Sequence, residues 1–180
     1  MIRRPIAFRP TGFTLIEVVT SLIIVGVLAA ISATVMSRGL LNYFVGREIA
    51  RDDAQGRLAF ERMVRELRTA RGGTGAGDLI ITVAGQITIT DFDRNVVVYR
   101  RNAATSQLER DGGTGFQPLA DNVSALTFSY LRNDGINAAG TAATVYYITV
   151  LLTVTTSNVN MSYRSTIKPA AFCVLGPGTC

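Results

Sequence analysis

Few side chains in these 180 residues are placed to do chemistry. Histidine is absent, which removes the commonest general base near neutral pH and the commonest metal ligand. The carboxylates beyond residue 72 are scattered, and no pair of them has a spacing that assigns glycosidic or peptide hydrolysis. Gly72-Gly73-Thr74-Gly75-Ala76-Gly77 is glycine-rich, but no Gly-Lys-Ser/Thr follows, so a phosphate loop would lack its cation and its metal-binding hydroxyl. Asp91-Phe92-Asp93-Arg94-Asn95 opens with the oxygen spacing of a calcium loop. Val96 stands where that loop needs glycine and Asn102 where it needs glutamate, so the segment reads as a turn. Cys173 and Cys180 have no histidine or third cysteine to make a zinc site. In an exported domain they would close a short disulfide loop stabilising the tail by about 2.5 kcal/mol; otherwise they are two free thiols. No catalysis, cofactor or metal is expected. What remains is one acid, Glu17, close behind a glycine and an aromatic residue, Gly12 and Phe13.

That acid must be carried by a membrane element. Val18 to Ser37 is a run without one charge, rich in Val, Ile, Leu and Ala. At about 1.5 Å per helical residue it spans about 30 Å, the hydrocarbon thickness of a bilayer. The run is longer than the apolar core of a signal peptide, and Ala30-Ile31-Ser32 is a poor cleavage site. Arg3, Arg4 and Arg9 before it favour a cytoplasmic N-terminus. Gly26 and Ala30 stand in small-xxx-small spacing, which suits close helix packing, although an ordinary anchor can carry the same residues.

Beyond the apolar run, Leu41, Phe44, Val45, Ile49, Leu58, Phe60, Met63, Val64 and Leu67 recur at helical spacing as far as Arg71. One helix from residue 13 to 71 is expected, with possible bends at Gly39, Gly46 and Gly56 and a stop in the glycines after Arg71. The arginines of 57–71 alternate with Glu61 and Glu66 as a solvated face with local ion pairs. The period then changes to two. Leu79 to Val83, Gln86 to Thr90, Asn95 to Arg101, Val123 to Leu131, Thr144 to Thr156 and Val159 to Lys168 read as strands, with Leu108-Glu109-Arg110 a short one and Pro118 to Asn122 a lead-in to the next. Tyr146, Ile148, Val150, Leu152 and Val154 share one face, and Thr156-Ser157-Asn158 turns into the last strand. The expected fold class is α+β: a long N-terminal helix, membrane-spanning in its first half, packed on a largely antiparallel sheet.

The net charge of +5 is not a nucleic-acid signal. Residues 1–12 carry +3 and residues 38–71 another +3, while residues 72–180 carry seven charges of each sign. The basicity belongs to the leader and the helix, and no nucleic-acid partner is expected.

Gly12-Phe13-Thr14-Leu15-Ile16-Glu17, between a short basic leader and the apolar run, resembles the processing site of type IV pilins and type II secretion pseudopilins. The resemblance implies a leader at 1–12, a membrane helix and filament core at 13–37, an amphipathic continuation at 38–71 and a β-rich head at 72–180. It also implies cleavage by prepilin peptidase between Gly12 and Phe13, N-methylation of Phe13, insertion in the inner membrane with the head in the periplasm, and assembly with other pilin or pseudopilin subunits. The order of elements after Arg57-Leu58-Ala59-Phe60-Glu61-Arg62 is similar to minor pilins of the mannose-sensitive haemagglutinin biogenesis group and to J-type pseudopilins. Thr34 stands where many major pilins have a helix-breaking proline, which favours a minor or pseudopilin subunit.

A carboxylate at a bilayer centre costs about 2.5–3.5 kcal/mol, so Glu17 needs compensation. The resemblance supplies it as the new α-amino group of Phe13 on a neighbouring subunit. Opposite charges about 4 Å apart attract by about 4 kcal/mol at an effective dielectric near 20, before desolvation is subtracted. Such a pair sets register more than it adds stability.

Overall fold

The computed structural model describes residues 12–71, 79–81 and 85–169. It divides into two compact units, Met1–Val45 and Gly46–Cys180. One helix, α1 (Leu15–Arg68), contributes its first part to the first unit and its second part to the other.

In the first unit every described side chain is exposed. Leu22, Ile23, Ile24, Val25, Leu28 and Ile31 all stand open. Four hydroxyls in this apolar stretch turn inward on their own helix. Thr20 Oγ1 donates to the Ile16 carbonyl at 2.9 Å, Thr34 Oγ1 to that of Ala30 at 3.0 Å, and Ser37 Oγ to that of Ala33 at 3.0 Å. Ser21 Oγ likewise donates to the Glu17 carbonyl. These four hydroxyls are thereby satisfied without water, an arrangement compatible with a lipid-facing helix. The helix runs unbroken through Thr34 and Gly39.

The second unit holds the core. Strands β1 (Leu79–Ile80), β2 (Gln86–Thr90), β3 (Val96–Asn102), β4 (Gln107–Asp111) and β5 (Phe116–Ala120) form one antiparallel sheet in chain order. A separate antiparallel sheet contains β6 (Val123–Leu131), β7 (Tyr147–Thr156) and β8 (Val159–Ile167). Two sheets therefore replace the single one expected. The face predicted on β7 is confirmed for Ile148, Val150, Leu152 and Val154, which are fully buried, while Tyr146 lies before the strand and is half-buried. They share the core with Ile87, Ile89, Tyr99, Leu108 and Val123, and with Ala59, Met63 and Leu67 of α1. The β7–β8 turn is a two-residue hairpin with Ser157 and Asn158 both at positive φ, a backbone that matches strand twist. The Asp91 turn is also confirmed, its carboxylate accepting the Asn95 backbone N–H at 2.8 Å.

Four local expectations change. β5 forms where a lead-in loop was expected; it lies at the edge of its sheet, where the missing N–H of Pro118 is tolerated, and the Arg100 guanidinium covers the Phe116 ring at 3.4 Å. Strand β7 begins at Tyr147 because Ala142–Thr144 closes a 3-10 turn first. The helix ends at Arg68 instead of Arg71. The Thr69 and Ala70 N–H groups bond back three residues, and the Arg71 N–H has already joined the Thr90 carbonyl at 2.8 Å. The expected glycine stop at 72–77 lies outside the described residues. Lastly, Leu41, Phe44, Val45 and Leu58 of the expected stripe are exposed, and the buried stripe of α1 is Asp52, Gly56, Ala59, Phe60, Met63 and Leu67.

Gly56 explains how the helix comes so near the second sheet. A Cβ there would stand 2.9 Å from Val154 Cγ2 and 3.3 Å from Tyr163 Cε2. Glycine sits at this point because no side chain fits, and α1 does not break there.

Candidate functional site

The predicted processing and assembly residues lie at the start of α1. Gly12 has open space where a Cβ would be, and Phe13 is 82% exposed. Thr14 caps the helix: its carbonyl accepts the N–H groups of Glu17 and Val18, and its Oγ1 accepts the Glu17 N–H at 3.4 Å. Glu17 therefore occupies the first turn, where an acid meets the positive end of the helix dipole, an interaction worth about 0.3–1 kcal/mol. Thr14-x-x-Glu17 before an apolar run has the residue pattern of a capping box, which is the local sequence signal for a helix start at this point. The Glu17 side chain is exposed, and among the described residues no cation lies within ion-pair distance of it.

Gly26 and Ala30 are exposed one turn apart, and among the described residues beyond its own turn of helix nothing lies within 4 Å of a Cβ at Gly26. An apolar stretch of α1 is long enough to cross a membrane, and none of it is buried in the structure. The basic leader up to residue 11 and the cysteines Cys173 and Cys180 lie outside the described residues. Among the described residues no group of three potential metal-ligating His, Cys, Asp or Glu occurs.

A second set of polar residues, not singled out from the sequence, fastens α1 within the head. Asp52 is buried, and its Oδ2 accepts Thr156 Oγ1 at 2.5 Å and Asn122 Nδ2 at 2.8 Å. Asp53 accepts the Tyr163 hydroxyl at 2.5 Å. Burial and this hydrogen bond push the Tyr163 phenol up to about 12. Glu66 forms the expected pair with Arg62 at 3.0 Å, and it also takes Arg110 Nε at 2.9 Å and the Tyr99 hydroxyl at 2.8 Å. Burial alone would raise the Glu66 carboxyl. The hydrogen bonds from Arg110, Arg62 and Tyr99 outweigh it and hold the group below the ordinary carboxylate range. The 57–71 arginine stretch is thus only partly a solvated face, with Arg57–Glu61 its simple surface pair at 3.0 Å. The signal for Asp52 was its position: it falls on the helical stripe of buried residues, where an acid needs partners.

The Prokaryotic N-terminal methylation motif matches residues 9–33. No curated protein matches the chain. The motif covers Gly12, Phe13, Glu17, Gly26 and Ala30 together with the exposed apolar helix that carries them, and it supports a type IV pilin-like or pseudopilin protein.

Proposed function

We propose that the chain is a non-enzymatic, minor pilin-like subunit of a type IV pilus-like filament, working at or near the filament tip. The observation that carries this reading is the methylation motif lying on an apolar stretch of α1 that is nowhere buried among the described residues. A helix of that kind needs another surface, first lipid and then the same helix on other subunits. The leader stays in the cytoplasm, prepilin peptidase cuts between Gly12 and Phe13, and Phe13 becomes the methylated first residue. The head stands in the periplasm until the helix is drawn from the inner membrane into the fibre.

Cleavage places a new ammonium group two residues before the start of α1, beside the positive end of its own helix dipole. A carboxylate is the favourable neighbour for it, and Glu17 of an adjoining subunit supplies one. Gly26 and Ala30 give the adjoining helices a surface for close approach. The type II secretion pseudopilin of J type uses the same motif, and the unbroken helix at Thr34 suits either subunit. Under the contrasting reading, a periplasmic enzyme or binding module on a tether, any apolar helix of equal length would serve.

Mass spectrometry of the mature chain tests the proposal. Loss of residues 1–12 with one added methyl group on Phe13 is expected. An intact Met1, or a cut near Ser32, refutes it.

A further inference from the structure

Sheet edges are open templates for another strand, and folded chains cover, shorten or interrupt them. Three of the four edges in the described residues are treated in this way. β1 has two residues among those described. β5 carries Pro118 and a register shift against β4. The far side of β6 is occupied at both ends: Val123 N–H donates to the Ser106 carbonyl, the Ala139 N–H donates to the Tyr130 carbonyl, and Leu131 bridges to Ala138.

β8 is different. Its nine residues pair with β7 in continuous register from Val159 to Ile167, without proline or bulge. Among the described residues no backbone hydrogen bond reaches its outer side. Beside it runs a groove lined by Phe60 and Val64 of α1, by Arg65 and Arg68, and by Arg164 and Ser165 of β8. Glu61 also lines the groove but is paired with Arg57. Arg65, Arg68 and Arg164 are exposed, with no carboxylate in ion-pair range among the described residues.

We propose that the outer edge of β8 and this basic groove accept an extended, acidic segment of a partner protein as a fourth strand of the second sheet. Backbone groups of β8 supply the hydrogen bonds, Phe60 and Val64 receive alternate apolar side chains, and the arginines receive the acids between them. A second copy pairing β8 to β8 would bring six arginines together, so charge selects a different, acidic partner. The surface lies wholly in the Gly46–Cys180 unit and does not depend on the filament reading.

The probe is a fluorescein-labelled peptide alternating valine and glutamate over seven residues, added to the full chain in neutral detergent micelles. Fluorescence anisotropy reads binding, and hydrogen exchange locates it. Alternate β8 amides exchange rapidly in the chain alone and slow when the peptide binds. N-methylation of alternate peptide residues, or lysine in place of glutamate, weakens binding at least about tenfold. Arg65→Glu with Arg68→Glu weakens it about tenfold while the melting temperature of the head holds, both side chains being exposed. Equal binding of the lysine peptide overturns the proposal, as does protection gained at β1 or β5 instead of β8. Protection of every β8 amide before peptide is added overturns it too, since the edge would then be covered by residues 170–180 or a second copy.

Discussion

The two stretches of α1 treat polar and apolar groups in opposite ways. From Leu15 to Val45 the described side chains are all exposed, and the hydroxyls of Thr20, Ser21, Thr34 and Ser37 bond back to their own helix. From Gly46 to Arg68 the apolar stripe is buried, and the acids Asp52, Asp53 and Glu66 reach out to the strands. Head stability therefore resides in the second stretch. On the filament function proposed above, the first answers to a membrane and to other subunits, and substitutions there should change assembly while leaving the head as stable as before.

The largest effect expected from that division is loss of assembly. Glu17→Val should abolish filament formation or secretion in cells while the purified chain keeps its melting temperature. If fibres form normally, Glu17 has no assembly role. Next in size is Glu66→Ala, which leaves the Tyr99 hydroxyl and the Arg110 guanidinium without their acceptor. It should destabilise the head by about 2–3 kcal/mol in chemical denaturation, with no effect on N-terminal processing. An unchanged midpoint would show that Glu66 does not fasten the helix.

The same glycine substitution should change sign along the helix. Gly56→Ala forces a Cβ against the buried, β-branched Val154, and overpacking of about 1–3 kcal/mol exceeds the gain of about 1 kcal/mol in helix propensity. Gly46→Ala meets nothing within 4 Å and should stabilise by up to about 1 kcal/mol. Denaturation of the two variants side by side measures the difference.

The smallest effects are in pH. Glu66 titrates below its unfolded value of about 4.5, so its contribution is complete above that pH and is lost as pH falls through the lower folded value. Glu66→Gln should flatten the acid limb of the stability curve. Tyr163 moves the other way. Its contribution is complete below its unfolded value of about 10 and is lost as pH rises through about 12, a loss that Tyr163→Phe should remove. Denaturation midpoints across both limbs check these signs.

The elements with strong periodicity were legible in the sequence: the apolar run, the alternation in β7 and the turn at Ser157 and Asn158 all carry local signals. β5 was missed because proline counts against a strand until its edge position is known. The division into two sheets was not legible either, since alternation marks a buried face without naming the strand that pairs with it. At the N-terminus, residue order alone singled out Gly12, Phe13 and Glu17 as candidates, and the matching motif covers all three, whereas the part played by Thr14 as a cap required the helix start to be known. Gly56 looked like a weak point in a helix. Only the neighbouring Val154 and Tyr163 show why it has no side chain.

Asn122 holds a left-handed backbone in the short link between β5 and β6. Its amide donates to Asp52 at 2.8 Å and its carbonyl accepts the Thr155 N–H at 2.8 Å. One residue in the link is therefore bonded to the helix and to the middle sheet strand at once. Separating either from the link breaks a bond held by the same residue, so heating should melt the head in a single cooperative calorimetric peak, and Asn122→Ala should broaden that peak or split it.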